Sequence, residues 1–79
     1  MLTPEQCRAG RALLDWTQEQ LAERSGVCRS TIRGFENGHH RLIQANRMLI
    51  EATLEAAGVM LILADTHGPG VRLRRPPQS

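Results

Sequence analysis

Wound at about 100° per residue, residues 28–37 divide into two faces. Ile32 and Phe35 point together, with Cys28 between and behind them, and form a core face; Arg29, Ser30, Arg33 and Gly34 cluster opposite. From about Gln44 to Ala57 the apolar residues fall on two faces, Leu49, Ala52 and Ala56 on one and Ile50, Leu54 and Ala57 on the other. A helix that is apolar on more than one side contacts more than one partner. After Gly58 the period changes. Val59-Met60-Leu61-Ile62-Leu63 is a continuous apolar run, Asp65 to Gly70 is rich in turn residues, and Val71-Arg72-Leu73-Arg74 alternates. That pattern predicts a β-hairpin with a loose loop. A lone two-stranded hairpin is marginal in water, so this one needs cover from the helices or from a second subunit.

Capping signals place the remaining helices. Thr3-Pro4-Glu5-Gln6 offers a hydroxyl cap, Pro at the first helical position and Gln at the third, with Leu2 and Cys7 as a staple; the helix runs to about Leu14. Thr17-Gln18-Glu19-Gln20 repeats the device, with Trp16 and Leu21 placed to staple, and Gly26 supplies the left-handed residue that ends a short second helix. A third helix spans Cys28 to about Asn37 and stops at Gly38. Residues 39–42 form a loop, a fourth helix closes at Gly58, and Arg75 to Ser79 reads as a tail. Two helices joined by a tight turn containing Gly make a helix-turn-helix.

Charge adds direction to this outline. The 79-residue chain has a formal charge of only +2, which by itself names no partner. Its distribution is more telling, because Cys28 to Arg47 carries four arginines (Arg29, Arg33, Arg41, Arg47) against one acid, Glu36, whereas residues 15–23 hold Asp15, Glu19 and Glu23 and no base. The stripe of Arg29, Ser30, Arg33 and Gly34 suits a major groove: Arg for guanine, a hydroxyl for either strand, and Gly where backbone must come close. The plainer reading is a solvated face. Against it, Gly inside a short helix costs about 1 kcal/mol relative to Ala, and a merely solvated helix gives nothing in return.

Other chemistry is sparse. His39-His40 lacks a Cys or carboxylate at ligand spacing and makes a poor metal site, so a loop near phosphate is the better reading. No phosphate loop, paired carboxylates or Ser/His/Asp grouping is present, and neither an enzyme nor a cofactor is expected. Cys7 and Cys28 do not form a CxxC pair and read as reduced thiols. No apolar run approaches the ~20 residues of a membrane span, and the first residues do not resemble a signal peptide, so a cytoplasmic protein is expected.

Arg11, Thr17-Gln18-Glu19-Gln20-Leu21-Ala22, Gly26-Val27, Thr31-Ile32 and Phe35-Glu36-Asn37-Gly38 together resemble the Cro and phage-repressor type helix-turn-helix family, from about Leu2 to Gly58. The resemblance implies a mainly α, four-helix, lambda-repressor-like domain (residues 1–58), to which the residue pattern adds a β-hairpin (59–75) and a disordered tail (76–79). It implies base reading by Arg29, Ser30, Arg33 and Gly34, and phosphate contacts from Gln18, Thr31, Asn37, His39, His40 and Arg41, with Gln18 also bracing the recognition helix. It further implies a structural ion pair of Arg11 with Glu36, and a small residue, Ala22, where the second and third helices pack. Two departures stand out: Gly34 lacks a side chain at a position that often reads a base, and Cys28 replaces the usual Ser or Thr cap, where a thiol near the DNA backbone could act as a redox switch.

The expected function is therefore sequence-specific binding of double-stranded DNA by a homodimeric transcriptional regulator on an inverted-repeat operator, with autoregulation a fitting role for so small a protein. The dimer is expected to use the exposed face of the fourth helix and the hairpin, through Ile50, Leu54, Val59, Leu61, Leu63, Val71 and Leu73. The alternative is an antitoxin or anti-activator that grips a protein partner through the hairpin.

Overall fold

The computed structural model describes residues 2–63 and 67–74. The expected tail (76–79) and part of the expected turn, Asp65-Thr66, lie outside the described residues. Four helices precede one hairpin: α1 (Pro4–Leu14), α2 (Gln18–Ser25), α3 (Arg29–Glu36), α4 (Gln44–Ala56), β1 (Val59–Ile62) and β2 (Gly70–Leu73).

Both capping boxes form. Gln6 N–H donates to Thr3 Oγ1 at 3.1 Å and Thr3 N–H donates to Gln6 Oε1 at 3.0 Å. At α2, Gln20 N–H donates to Thr17 Oγ1 at 3.1 Å while Thr17 N–H donates to Gln20 Oε1 at 2.8 Å. These satisfy donors that a helix start otherwise leaves open. Helix α1 ends on Asp15, which takes φ +58° without being glycine, and the Trp16 N–H reaches back to the Arg11 carbonyl at 2.9 Å. Helix α2 ends as its sequence dictates: Gly26 sits at φ +79°, and its N–H closes on the Ala22 carbonyl at 2.9 Å. Only Gly26, Val27 and Cys28 separate α2 from α3.

The core gathers Leu2, Cys7, Leu21, Val27, Ile32, Phe35, Ile50, Leu54 and Val59, with Leu14, Trp16, Ala22 and Leu42 half-buried against it. The hairpin is antiparallel, pairing Val59 with Leu73, Met60 with Arg72, Leu61 with Val71 and Ile62 with Gly70. Paired residues share a face. Val59, Leu61, Val71 and Leu73 turn toward the protomer's own helices, and Met60 and Arg72 turn to solvent. Gln6 fixes the sheet from a second direction, its Nε2 donating to the carbonyls of Ile62 at 2.8 Å and Gly70 at 2.9 Å. One buried side chain thus starts α1 and clamps both strands.

Three expectations need correction. Ile50, Leu54 and Val59, expected at a subunit interface, are 0%, 0% and 1% exposed, so their apolar surface is already used inside the protomer. Leu61, Val71 and Leu73 are half-buried against this chain's own core, because the strand period turns them inward; of the expected hairpin contacts Leu63, at 71%, is the most exposed. Cys28, expected behind the core face, is exposed: it precedes the first turn of α3 with ψ 141°, which takes it off the helical wheel. Its side chain makes no capping hydrogen bond.

The Gln6 clamp is open to test. Gln6→Ala should lower unfolding free energy by about 1–3 kcal/mol, since two hairpin carbonyls lose their donor. Gln6→Glu keeps the acceptor for Thr3 but loses both donations, and should destabilise at least as much in urea unfolding at pH 7. If Gln6→Glu matches the parent protein, the hairpin does not depend on this contact.

Candidate nucleic-acid interface

The orientation of α3 is set from its C-terminal end. Glu36 is only 2% exposed, an expensive place for a carboxylate unless it is paired. It also sits at the end of a helix where negative charge is disfavoured by the helix dipole. Arg11 of α1 answers with two prongs, Nε to Oε2 at 2.9 Å and Nη2 to Oε1 at 2.7 Å. The Cys7 thiol donates to Oε2 at 3.0 Å, and the Gln18 amide of α2 donates to Oε1 at 3.0 Å. Arg8 donates to the Glu36 backbone carbonyl, and Arg11 Nη1 also holds the Trp16 carbonyl at 3.0 Å. No buried side-chain oxygen or nitrogen among the described residues is left without a partner.

These partners decide the charge state. Burial pushes the Glu36 carboxyl upward, but the hydrogen bonds from Arg11, Cys7 and Gln18 and the charge of Arg11 outweigh it, and the group stays ionised below the usual carboxylate range. Burial first, and then the neighbouring Glu36, drive the Cys7 thiol well above its ordinary value, so it remains a protonated donor. Cys7 is therefore a structural hydrogen-bonding group. Nothing in the spacing of Cys7, which reads simply as a staple residue, announces that role.

With its end fixed, α3 buries Ile32 and Phe35 and presents Arg29, Ser30 and Arg33 to solvent, with Gly34 half-buried beside them. The face expected for base reading is thus brought together. Of the residues expected at phosphate, Asn37, His39, His40 and Arg41 are exposed at the C-terminal end of α3 and in the following loop, while Gln18 and Thr31 are half-buried. Gln18 uses one amide hydrogen on Glu36 and keeps its second for another acceptor.

Two neighbours are invisible to a reading along the chain. Glu19, at the start of α2, brings a carboxylate 4.0 Å from Arg29 Nε, so the acid-free stripe of α3 has an acid beside it from another helix. Both side chains are largely exposed, at 55% for Arg29 and 71% for Glu19, so the pair holds loosely. The second neighbour is His40, whose ring lies over Gly34 in the space a Cβ would need. Away from this surface, Arg24 stacks over the Trp16 ring at 4.6 Å from its centre. Among the described residues no group of three or more His, Cys, Asp or Glu side chains could hold a metal, and no helix is long and apolar enough to cross a membrane.

Comparison with known proteins agrees with this geometry. A family model described as helix-turn-helix matches residues 8–49, more than half of the chain and all of α2 and α3. A search of the curated proteins finds no significant match.

Breaking the Glu36 cluster should be costly. Arg11→Ala leaves a buried carboxylate without its charge partner and should lower stability by about 3 kcal/mol, read from chemical unfolding at pH 7. The lowered Glu36 value makes its contribution fully present above the ordinary carboxylate value of about 4.3, and the contribution fades as pH falls through the still lower folded value. Glu36→Gln should flatten that acid limb of the stability profile. An acid limb of unchanged slope in the variant would assign the loss to other carboxylates.

Proposed function

Since the chain belongs to the Cro and phage-repressor type helix-turn-helix family, whose domains are DNA-binding transcription regulators, we propose that it reads a specific operator as a homodimer. The observation that carries this reading is the exposed face of α3: Arg29, Ser30 and Arg33 clear of the core, on a helix whose end is locked by Glu36 to α1 and α2. A helix held this rigidly can enter the major groove with its side chains in register. Arg29 and Arg33 offer paired donors to guanine O6 and N7, and Ser30 offers a hydroxyl. Gln18, Thr31, Asn37, His39 and Arg41 surround that face and suit phosphate oxygens, which set position without selecting sequence.

The dimer contact we assign to the outer face of α4. Leu49 is 46% exposed there, with Ala52 and Ala56 on the same side, and this face borders a shallow groove shared with Trp16 and Arg24. Met48, 55% exposed, lies beside it. Two copies joined by small and apolar residues would carry their α3 helices to successive major grooves, roughly 34 Å apart, on an inverted repeat. The protein-partner reading through the hairpin is the weaker one, because the apolar side chains of its inner face, Val59, Leu61, Val71 and Leu73, pack on the chain's own core and leave Met60 and Leu63 as its exposed apolar contacts. Autoregulation and a cytoplasmic location accord with a DNA-binding role and belong to the same proposal.

Selection from random duplexes at near-physiological salt should recover an inverted repeat with one half-site spacing. A flat outcome would contradict the proposal. Arg29→Ala should then cost about 1–3 kcal/mol and relax preference at one base pair of each half-site. An equal loss on every duplex would make Arg29 a phosphate contact. Glu19→Gln, which releases Arg29 and removes a negative charge beside the DNA, should tighten binding a few-fold at low salt, and an unchanged or weaker affinity would show that Glu19 does not oppose Arg29.

A further inference from the structure

The stripe of α3 that would face DNA has a gap at Gly34, and the gap is filled from elsewhere. A Cβ at position 34 would overlap the His40 imidazole, coming within 2.7 Å of Cδ2 and closer still to Nε2. The loop is folded back to bring this about. Gly38 reverses the chain at φ +77°, its N–H donating to the Phe35 carbonyl at 3.0 Å, and the His39 N–H donates to the carbonyl of Gly34 itself at 2.8 Å. His40 Nδ1 then lies 3.1 Å from the Arg41 carbonyl. A carbonyl only accepts, so the proton of the neutral ring belongs on Nδ1, and Nε2 is left as a bare acceptor. The ring is exposed, and its acceptor stands where the first side-chain atom of residue 34 would be.

We propose that His40 supplies, from the loop, the base-reading group that α3 lacks at Gly34. The proposal rests on the DNA-binding reading above and assigns one more specificity-determining residue to it. Glycine at 34 lets the imidazole lie against the helix, in the place of a side chain at that position. A bare Nε2 there accepts from an exocyclic amino group, N6 of adenine or N4 of cytosine. The sequence pattern alone places His40 among the phosphate contacts, and the two roles differ in what they predict. A phosphate contact strengthens binding to all sequences alike. A base contact discriminates at one position and leaves the salt dependence to the phosphate contacts, whose counterion release sets it.

The test is a selection from random duplexes with the full chain, its His40→Ala and Gly34→Ala variants and the double variant, each first shown to melt cooperatively. Gly34→Ala favours the helix intrinsically but evicts the ring, so its folding is not at risk while its reading is. The expected result is that His40→Ala reduces preference at one base pair per half-site by about tenfold with the salt slope of binding retained. Gly34→Ala should weaken the same base pair, and the double variant should do no worse than His40→Ala alone. If the parent chain selects a half-site and His40→Ala lowers affinity uniformly, with a shallower salt slope, His40 is a phosphate contact and this inference fails while the DNA-binding reading stands. If the parent chain selects nothing, both fail together.

Discussion

A single buried carboxylate ties the three N-terminal helices together. Glu36 ends α3, and its side chain accepts from Arg11 and Cys7 of α1 and from Gln18 of α2. Each donor comes from a different point on the two helices, so the position of α3 is determined by directional bonds as well as by packing. Hydrophobic burial of Ile32 and Phe35 would hold α3 against the core but would tolerate rotation or sliding. A charged, fully satisfied cluster tolerates much less, since any shift leaves a buried charge short of a partner. Whether such clusters add net stability varies between proteins. Here the larger consequence is geometric: the helix with the exposed stripe of Arg29, Ser30 and Arg33 is held in one orientation.

The same economy of polar groups recurs at the hairpin. Gln6 accepts from Thr3 with its oxygen and donates to Ile62 and Gly70 with its nitrogen, so the start of α1 and the pairing of β1 with β2 are linked through one side chain. A two-stranded sheet of four-residue strands has little stability of its own. It persists because its inner face covers the core and because its carbonyls find a buried donor. On the outer face of α4, Met48 and Leu49 are left exposed.

Local chemistry was legible in the residues themselves. Both capping boxes, the glycine stop of α2, the four helices and the change to a two-residue period after Gly58 follow from short-range patterns, and the structure contains them. The exposed stripe of α3 was legible for the same reason. What the pattern could not supply were contacts between elements. Cys7 meets Glu36 across 29 positions and Gln6 meets Gly70 across 64, and neither pair leaves a periodic trace. The misplaced subunit contacts have a definite cause: a run of apolar residues does not say which neighbour covers it, and the hairpin is covered by its own helices. Gly34 stands out along the chain as a poor helix former, but the His40 ring over it depends on how the loop folds back.

The central claim is that the locked α3 and the loop behind it form the surface that meets DNA, with the hairpin turned away. Amide chemical-shift mapping of the full chain during titration with a duplex measures this most directly. The account predicts the largest shifts within Arg29 to Gly34 and His39 to Arg41, smaller ones at the start of α2, and little change from Val59 to Ile62. Shifts concentrated in the hairpin, with α3 unmoved, would contradict it.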